Sequence, residues 1–298
     1  MFKDNTSENT SKCYVGTSGY NYKDWEIIFY PEKTRGKFDR LRFYSQFFDF
    51  VEIESSFHNI YSKEVAKSLI EKVKDNKKFT FSIILNNAFT HKENFNKNEL
   101  KITLDFLEEL NSNNKLECIL LHFPYYFHNT KDSRLKLIKL KNTFKDYNLV
   151  VDLKHYSWHS PLTYNFLEES KLHLCLIDEP IQDNFKTTVL GKLAYIHLYG
   201  ICPSLLSTNN IEDKFNYLYT NSELFEISIK IEGLRKKSNK IFLVFKNTKM
   251  AKAIANAFTL NSYIKKRPLL IPEQTVYYYS HLKPIAHRVN TNQLPIFS

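Results

Sequence analysis

The sequence predicts an α/β protein that folds as a single (β/α)8 TIM barrel with an irregular C-terminal extension. Eight short runs of β-branched and aromatic residues recur along the 298-residue chain, and stretches with helical periodicity separate most of them. No linker rich in Pro, Gly or Ser divides the chain, and its length is ordinary for a barrel that needs about 250 residues. Strand–helix alternation of this kind favours one closed parallel barrel.

The predicted strands are short, and several are almost continuously apolar, as strands buried on both faces must be. They cover residues 13–16, 50–54, 79–85, 118–123, 149–154, 173–177, 193–198 and 241–245. An open doubly wound sheet is the alternative. It is less favoured because the first strand carries no G-x-G-x-x-G motif and no acidic residue stands in the ribose-binding context.

The segments between the strands have apolar faces at helical spacing. One face is formed by Ile102, Phe106, Leu107 and Leu110, and another by Leu224, Ile227, Ile231 and Leu234. Ser160 and Pro161 are predicted to be the N-cap and first residue of a helix, and Ser222 a second N-cap. The sixth helix, residues 179–190, is predicted to be short and irregular.

Three regions are expected along the chain. Residues 1–12 are polar and lack the apolar region of a secretory signal, so they are predicted to be a disordered N-terminal tail. Residues 13–266 form the barrel, and residues 267–298 are expected to pack on its exterior. No apolar run approaches the roughly 18 residues that a membrane span requires, so no membrane association is expected.

The cysteines and the charge bear on localisation and partners. Cys13, Cys118, Cys175 and Cys202 form no C-x-x-C pair, and three of them lie in apolar runs, which predicts reduced core thiols and a cytoplasmic protein. The formal net charge of +10 leaves nucleic acid as a partner to consider. Lysine is scattered along the chain among many Asn residues, however, so the charge indicates composition more than a binding surface.

Polar side chains collect where the predicted strands end. Alternate strand residues face the barrel interior, and the chemistry of a barrel lies at the carboxyl ends of its strands. The candidate catalytic residues are Glu52, Asp152, Lys154, Asp178 and His197. Further candidates for substrate binding on the same argument are His122, Tyr199, Lys246 and Asn247. A network of ion pairs that caps the barrel is the structural alternative to a functional pocket.

The spacing of Asp152 and Lys154 leads to a specific expectation. Two residues apart, they face the same way at the end of the fifth strand. Lys154 is expected to pair with Glu52 or Asp178, which would leave Asp152 available to a ligand hydroxyl or a water.

Two loops carry aromatic residues beside these strand ends. Gly16 to Trp25 includes Ser18, Tyr20 and Trp25, and residues 155–159 include Trp158. Rings around a polar cup are suited to stacking on a sugar or a base, so these four residues are candidate ligand contacts. Packing of the rings against helices is the alternative. The two glycines of the first loop, Gly16 and Gly19, favour a plain tight turn over a phosphate-binding loop.

The same segments, in the same order, resemble the YecE-like family of TIM-barrel proteins of unknown function. The resemblance runs from about residue 13 to 264. It rests on Val15-Gly16-Thr17-Ser18-Gly19-Tyr20, Val51-Glu52-Ile53-Glu54-Ser55-Ser56-Phe57, Thr90-His91, Leu121-His122-Phe123-Pro124, Asp152-Leu153-Lys154-His155, Asp178-Glu179-Pro180, Tyr195-Ile196-His197-Leu198-Tyr199-Gly200 and Phe245-Lys246-Asn247-Thr248. It adds His91 to the candidate ligand contacts.

The chain departs from the family pattern at several strand ends. Ile84 stands where the family usually has lysine, His122 for glutamine, Asp152 and Lys154 for a Glu-x-Arg pair, His197-x-Tyr199 for Arg-x-His, and Lys246 for asparagine. Most of these changes keep a polar group in place. The pocket is therefore expected to persist with altered chemistry.

A hydrolase acting on a phosphoester or glycosidic bond is the favoured function. The carboxylates could act as general base and acid with one pKa raised, or with His122 and His197 could hold a divalent metal. Lys246 stands where barrels often bind phosphate. The expected ligand is a small, phosphorylated or sugar-like molecule. A non-catalytic binding protein for single-stranded nucleic acid or a saccharide, and a family member with a degenerated site, are the alternatives.

Overall fold

The computed structural model describes residues 11–31, 38–92, 95–178, 191–200 and 216–290. Its barrel strands are β1 (Lys12–Thr17), β2 (Phe50–Ile53), β3 (Thr80–Ile84), β4 (Leu116–His122), β5 (Leu149–Asp152), β6 (His173–Asp178), β7 (Leu193–Leu198) and β8 (Lys240–Phe245). All eight pair in parallel in the order β1-β8-β7-β6-β5-β4-β3-β2, a nearly closed barrel. Each strand begins and ends within two residues of a predicted one, so the predicted (β/α)8 barrel is confirmed.

The barrel closes between β1 and β2 through a side chain and a close backbone contact. The hydroxyl of Tyr44 accepts a hydrogen bond from Thr17 N at 3.1 Å and donates to Phe50 O at 3.1 Å, which links the two strands. Gly16 lies directly against Phe50, since a Cβ atom at position 16 would stand 2.3 Å from Phe50 O. Only glycine allows this approach, so Gly16 is required for closure.

The barrel interior is filled by side chains from alternate strand positions. This inner cluster contains Phe50, Cys118, Val150, Cys175, Tyr195, Phe242 and Val244, while a larger apolar cluster lies between the strands and the helices. Cys118 and Cys175 are free thiols, and burial raises the pKa of each well above its usual value. They are inert core residues, as predicted, and Cys202 lies outside the described residues.

The helices that cover the barrel follow the predicted apolar faces. Phe106, Leu107 and Leu110 are buried on one helix, and Leu224, Ile227 and Ile231 on another. The helices are α1 (Arg40–Tyr44), α2 (Lys63–Lys72), α3 (Asn87–Thr90), α4 (Lys97–Ser112), α5 (Lys131–Thr143), α6 (Pro161–Glu169), α7 (Asn221–Arg235), α8 (Lys252–Lys265) and α9 (Glu273–Tyr278). None of these described helices is long and apolar enough to cross a membrane. The predicted helix at 179–190 lies outside the described residues.

Two predicted helix starts have different outcomes. Ser160 caps α6, accepting a hydrogen bond from Thr163 N at 3.3 Å, as predicted. The cap predicted at Ser222 is wrong, because α7 begins earlier. Thr220 is its N-cap, and Glu223 completes a capping box by accepting from Thr220 N at 2.7 Å.

The C-terminal extension contains α9 and a two-stranded parallel sheet of β9 (Leu269–Pro272) and β10 (Ala286–Val289). Its helix packs on the loop after β1, where Thr275 Oγ1 donates to Ile28 O at 2.7 Å. At the amino terminus, Lys12 is the first residue of β1, so the part of the predicted tail that is described is ordered. Residues 1–10 and 291–298 lie outside the described residues.

Candidate active site

A cavity of about 830 Å³ opens at the carboxyl ends of the strands. Its wall includes four of the predicted site residues, which end or closely follow β4, β5, β7 and β8: His122, Lys154, Tyr199 and Lys246. The loops that follow every strand of a parallel barrel gather at this end. The cavity therefore lies where the sequence predicts polar side chains to collect.

Glu52 is fully buried on β2 and is held by four donors. Its Oε1 accepts from Ser18 Oγ and from Lys246 Nζ, both at 2.9 Å. Its Oε2 accepts from Tyr195 Oη at 2.8 Å and from His197 Nε2 at 2.7 Å. Both oxygens are thus satisfied, as a buried carboxylate requires.

The ionisation of this cluster is set by the Glu52–Lys246 pair. Burial would raise the pKa of Glu52, but the charge of Lys246 and the contact with His197 outweigh burial and hold that pKa well below 4.5. Burial would lower the pKa of Lys246, but Glu52 and Glu54 raise it well above 10.5. Glu52 therefore remains a carboxylate and Lys246 an ammonium at neutral pH, so neither exchanges a proton with a substrate.

Ser18 stands between two carboxylates with one hydroxyl proton to donate. Its Oγ lies 2.9 Å from Glu52 Oε1 and 2.8 Å from Glu54 Oε2, and it accepts from Lys246 Nζ at 2.7 Å. Glu54 is 47% exposed, lines the cavity and lies 3.6 Å from Lys246 Nζ, whose charge lowers its pKa. Glu52 and Glu54 thus both meet Ser18, two residues apart on the same side of the strand, but of the two only Glu54 lines the cavity.

His122 and Asp152 stand side by side in the register of β4 and β5. His122 Nδ1 lies 2.7 Å from Asp152 Oδ2, and since the carboxylate accepts, Nδ1 carries the hydrogen. Burial would raise the pKa of Asp152, but the charges of His122 and Lys154 lower it far below its usual value. The His122 ring is 25% exposed at the cavity wall, and its Nε2 bonds to no other described residue. A ring oriented at Nδ1 and open at Nε2 is the arrangement of a general base.

The carboxyl group with a raised pKa that the sequence led us to expect is absent from Glu52 and Asp152. Both have lowered pKa values because each is paired with positive or hydrogen-bonding neighbours. That expectation is wrong for these two residues. At the described part of the cavity wall, His122 holds a hydrogen bond at Nδ1 and leaves its Nε2 open.

Of the two partners expected for Lys154, Glu52 pairs with Lys246 instead, and the pairing with Asp178 stays a prediction. Lys246 is the partner of Glu52 because it follows β8, the neighbour of β1, whose end carries Ser18 beside Glu52. Lys154 lines the cavity and its charge lowers the pKa of Asp152. Asp152 Oδ2 binds His122, and its buried Oδ1 has no hydrogen-bond partner in the described part of the chain.

Three aromatic candidates lie away from the cavity. Trp25 and Trp158 are buried, and their Nε1 atoms donate to Thr248 O at 2.7 Å and to Phe127 O at 2.6 Å. Their rings therefore pack the loops together and offer no face to a ligand. Tyr20 lines a separate hollow of about 540 Å³.

The remaining candidates divide between the rim and the packing around it. His91 is exposed and meets the edge of Phe57 at a centroid distance of 5.3 Å, close to the His122 ring.

Asn247 is buried, and its Nδ2 donates to Tyr217 O at 2.5 Å. Asp178 accepts from Tyr219 Oη at 2.7 Å. Asn247 and Asp178 thus hold the segment before α7 and do not line the cavity.

The metal hypothesis has no ready ligand set in the described ranges. Among residues 11–31, 38–92, 95–178, 191–200 and 216–290, no group of three or more His, Cys, Asp and Glu side chains is placed to hold a metal ion. His122 is hydrogen-bonded to Asp152, whereas His197 is hydrogen-bonded to Glu52. Metal binding stays a prediction.

Several residues at the site were missed from the sequence. Tyr195 precedes His197 by two residues on β7, so the alternation that selected His197 also points to it. Phe57 meets both the His122 ring, at 5.4 Å, and the His58 ring, at 4.9 Å. Phe57 and His58 line the cavity from the short turn after β2, and no spacing rule signals them.

One wall of the cavity is a strained turn between β8 and α8. Met250 and Ala251 have φ values of 54° and 58°, a left-handed conformation that costs energy outside glycine. Asp24 accepts from Met250 N at 2.6 Å, and Tyr279 Oη donates to Met250 O at 2.5 Å. The surrounding contacts hold this turn in place beside Lys249, which lines the cavity.

Residues 14–276 match the family described as "Protein of unknown function DUF72". The chain belongs to the DUF72 family. The match spans the barrel and every residue named above on the cavity wall, so the site belongs to the family domain. It supports the resemblance drawn from the strand-end motifs at the level of DUF72.

Solved structures of DUF72 proteins share this fold. A family member from Enterococcus faecalis V583 is 19% identical, with a TM-score of 0.75, and the alignment covers 85% of this chain and 95% of that one. A member from Thermotoga maritima MSB8 is 22% identical, with a TM-score of 0.70 and coverage of 85% and 99%. At these identities the likeness extends to the fold alone. No curated protein matches the chain.

Proposed function

We propose that this DUF72 protein is a hydrolase of phosphoester bonds in which His122 is the general base. The observation that carries the proposal is the 2.7 Å hydrogen bond from His122 Nδ1 to Asp152 Oδ2 at the cavity wall. It orients the imidazole, and the negative charge of Asp152 stabilises the imidazolium that forms when Nε2 takes a proton.

Three lysines favour a phosphorylated substrate. Lys154, Lys246 and Lys249 line the same cavity as His122. Ammonium groups stabilise the charge that develops on the phosphoryl oxygens in the transition state. Lys246 is suited to this task because its raised pKa keeps it charged.

In the proposed reaction His122 acts as the base, and His58 or solvent supplies the proton to the leaving group. His122 Nε2 takes a proton from a water, and the water oxygen attacks phosphorus. The bond from phosphorus to the ester oxygen breaks, and the departing oxygen takes a proton from His58 or from solvent. His58 lines the same cavity and shares the Phe57 ring with His122, so the two imidazoles flank one volume.

Cleavage of a glycosidic bond is less well supported by the described residues. The usual mechanism needs one carboxylic acid that keeps its proton until the leaving group departs. Glu52, Glu54 and Asp152 all have lowered pKa values, and two of them are fully buried. None of the three therefore has a proton to donate.

Two finer assignments accompany this proposal. The strand-end motifs around Glu52 and His197 support assignment of the chain to the YecE-like proteins of the family. The free, buried thiols of Cys118 and Cys175 are consistent with a reducing cytoplasm.

A panel of chromogenic substrates tests the proposal. We expect the wild-type protein to release nitrophenol from bis(p-nitrophenyl) phosphate or p-nitrophenyl phosphate, and not from p-nitrophenyl glycosides. His122→Gln should lower that rate about 10²- to 10⁴-fold. His287→Gln, an exposed histidine on β10, is the matched control and should keep the wild-type rate. Activity on glycosides alone, or full activity in His122→Gln, would overturn the proposal.

A further inference from the structure

An exposed group of rings lies on the loops that follow β4 and β5. We call it the aromatic platform: the exposed rings of Tyr125, Tyr126, His128 and Tyr156, together with the buried ring of His155, which His128 and Tyr156 contact. Tyr125, Tyr126 and Tyr156 are 60%, 70% and 74% exposed, which is unusual for rings of this size. His128 and His155 are stacked at 3.9 Å with an interplanar angle of 11°, and Tyr156 lies 4.3 Å from His155.

The two loops that carry the platform are locked together. Asn129 N donates to Ser157 Oγ at 2.9 Å, and Asn129 Nδ2 donates to Ser157 O at 3.1 Å. Beneath them Trp158 stacks on Phe127 at 5.5 Å and donates to its carbonyl oxygen at 2.6 Å. The exposed rings therefore stand on a rigid base, which reduces the conformational entropy that a bound ligand must remove.

The platform adjoins the proposed catalytic pair along the chain. Tyr125 is three residues after His122, and His155 is three residues after Asp152. Three residues span at most about 11 Å, so each platform loop stays close to the dyad. That distance corresponds to about three stacked nucleotides at roughly 3.4 Å each.

The positive charge near the platform distinguishes between the two kinds of ligand that can stack on exposed rings. Both a sugar and a nucleobase stack on tyrosine, but only a nucleic acid gains from surrounding cations. Lys154 directly precedes His155, and Lys136 and Lys154 both lie close enough to His91 to lower its pKa, after the larger effects of burial and of His122. These observations favour a polyanion with exposed bases.

We infer that the aromatic platform binds single-stranded nucleic acid. Bases stack on Tyr125 and Tyr156, and the strand continues over the cavity so that a phosphodiester reaches His122. The second part rests on the proposed phosphoester hydrolase, since it names the substrate of that same site. The first part concerns binding alone and is tested without turnover.

Fluorescence anisotropy with a labelled oligothymidylate of about ten nucleotides tests this inference. The measurement compares the wild-type protein with Tyr125→Ala/Tyr156→Ala, at one ionic strength. We expect the double variant to bind about thirtyfold more weakly or worse, because it loses the stacking surface for two bases. Tyr277→Ala is the matched control: its ring is exposed on α9 of the C-terminal extension, and its loss should leave the affinity unchanged.

Two further binding measurements test whether the rings contact the bases and the lysines contact the phosphates. The wild-type protein should bind the single strand more tightly than a duplex of the same length, because stacked pairs hide the base faces. The double variant should keep the salt dependence of the wild type, because the lysines remain.

Three outcomes would overturn the inference: equal binding by the double variant and the wild type, no binding by the wild type, or binding of a cello-oligosaccharide in place of the oligonucleotide. Failure of the hydrolase proposal would appear separately, as an inactive wild-type protein towards nitrophenyl phosphates. Binding of the oligonucleotide with loss in the double variant would still support the platform in that case.

Discussion

His122 Nδ1 donates to Asp152 Oδ2 across 2.7 Å, with the imidazole at the cavity wall and the carboxylate fully buried behind it. Asp152→Asn removes the charge that orients the ring and stabilises its protonated form. We expect nitrophenyl phosphate turnover to fall about 10²- to 10⁴-fold in this variant while the fold is kept. Initial rates and circular dichroism measure the two effects. Asp105→Asn, on the exposed face of α4, is the control, and equal rates in both variants would contradict the role of Asp152.

Glu52 makes the stability of the barrel depend on acid. Its pKa is about 4.5 when unfolded and well below that in the fold, so its contribution to the free energy of unfolding is complete above about pH 4.5 and is lost as the pH falls towards the folded-state value. Glu52→Gln also leaves Lys246, which is only 10% exposed, without its carboxylate. We expect a loss of about 3–5 kcal/mol at neutral pH and a weaker decline in acid than in the wild type.

Urea denaturation at neutral pH and at about pH 4 measures both parts of this prediction. Glu71→Gln removes an exposed carboxylate that pairs with Lys74 on the protein surface, and it should change stability by less than about 1 kcal/mol. A Glu52→Gln variant as stable as Glu71→Gln at neutral pH would show that the buried pair is not structural.

Lys246 and Lys154 line the same cavity but should respond differently to removal of their charge. Lys246→Met leaves the buried Glu52 carboxylate without its ammonium partner, so we expect the free energy of unfolding to fall by about 3–5 kcal/mol. Lys154→Met is expected to weaken binding of inorganic phosphate more than it lowers stability. Thermal unfolding and calorimetric titration with phosphate separate the two cases. A large loss of stability in Lys154→Met with phosphate binding unchanged would make that lysine structural.

Two glycines give a matched test of barrel closure. Gly16→Ala would place a Cβ atom 2.3 Å from Phe50 O, between β1 and β2, and we expect it to destabilise the fold by about 1–3 kcal/mol or more. Gly233 lies within α7, and a Cβ atom at that position would meet nothing within 4 Å, so Gly233→Ala should stabilise by about 0.5–1 kcal/mol. Chemical denaturation compares them, and similar effects from both substitutions would refute the closure argument.

Much of the barrel was predictable from local pattern. Short runs of β-branched and aromatic residues, several of them almost continuously apolar, located all eight strands to within two residues. The two-residue alternation also placed Glu52 and Glu54 on one side, where both now meet Ser18. These properties depend only on neighbours along the chain, so a sequence is sufficient to show them.

The partners of each site residue depend on which strand ends meet in space. Glu52 pairs with Lys246 and not with Lys154, because the ring of strands brings the end of β8 next to β1. Trp25 and Trp158 are covered by packing between loops that are distant in sequence, a fact that ring type alone could not reveal. The lowered pKa of Glu52 and Asp152 has the same origin, since burial and the charges that oppose it come from different strands. Alternation along a strand is local physics, whereas contact, burial and charge balance exist only once the barrel has closed.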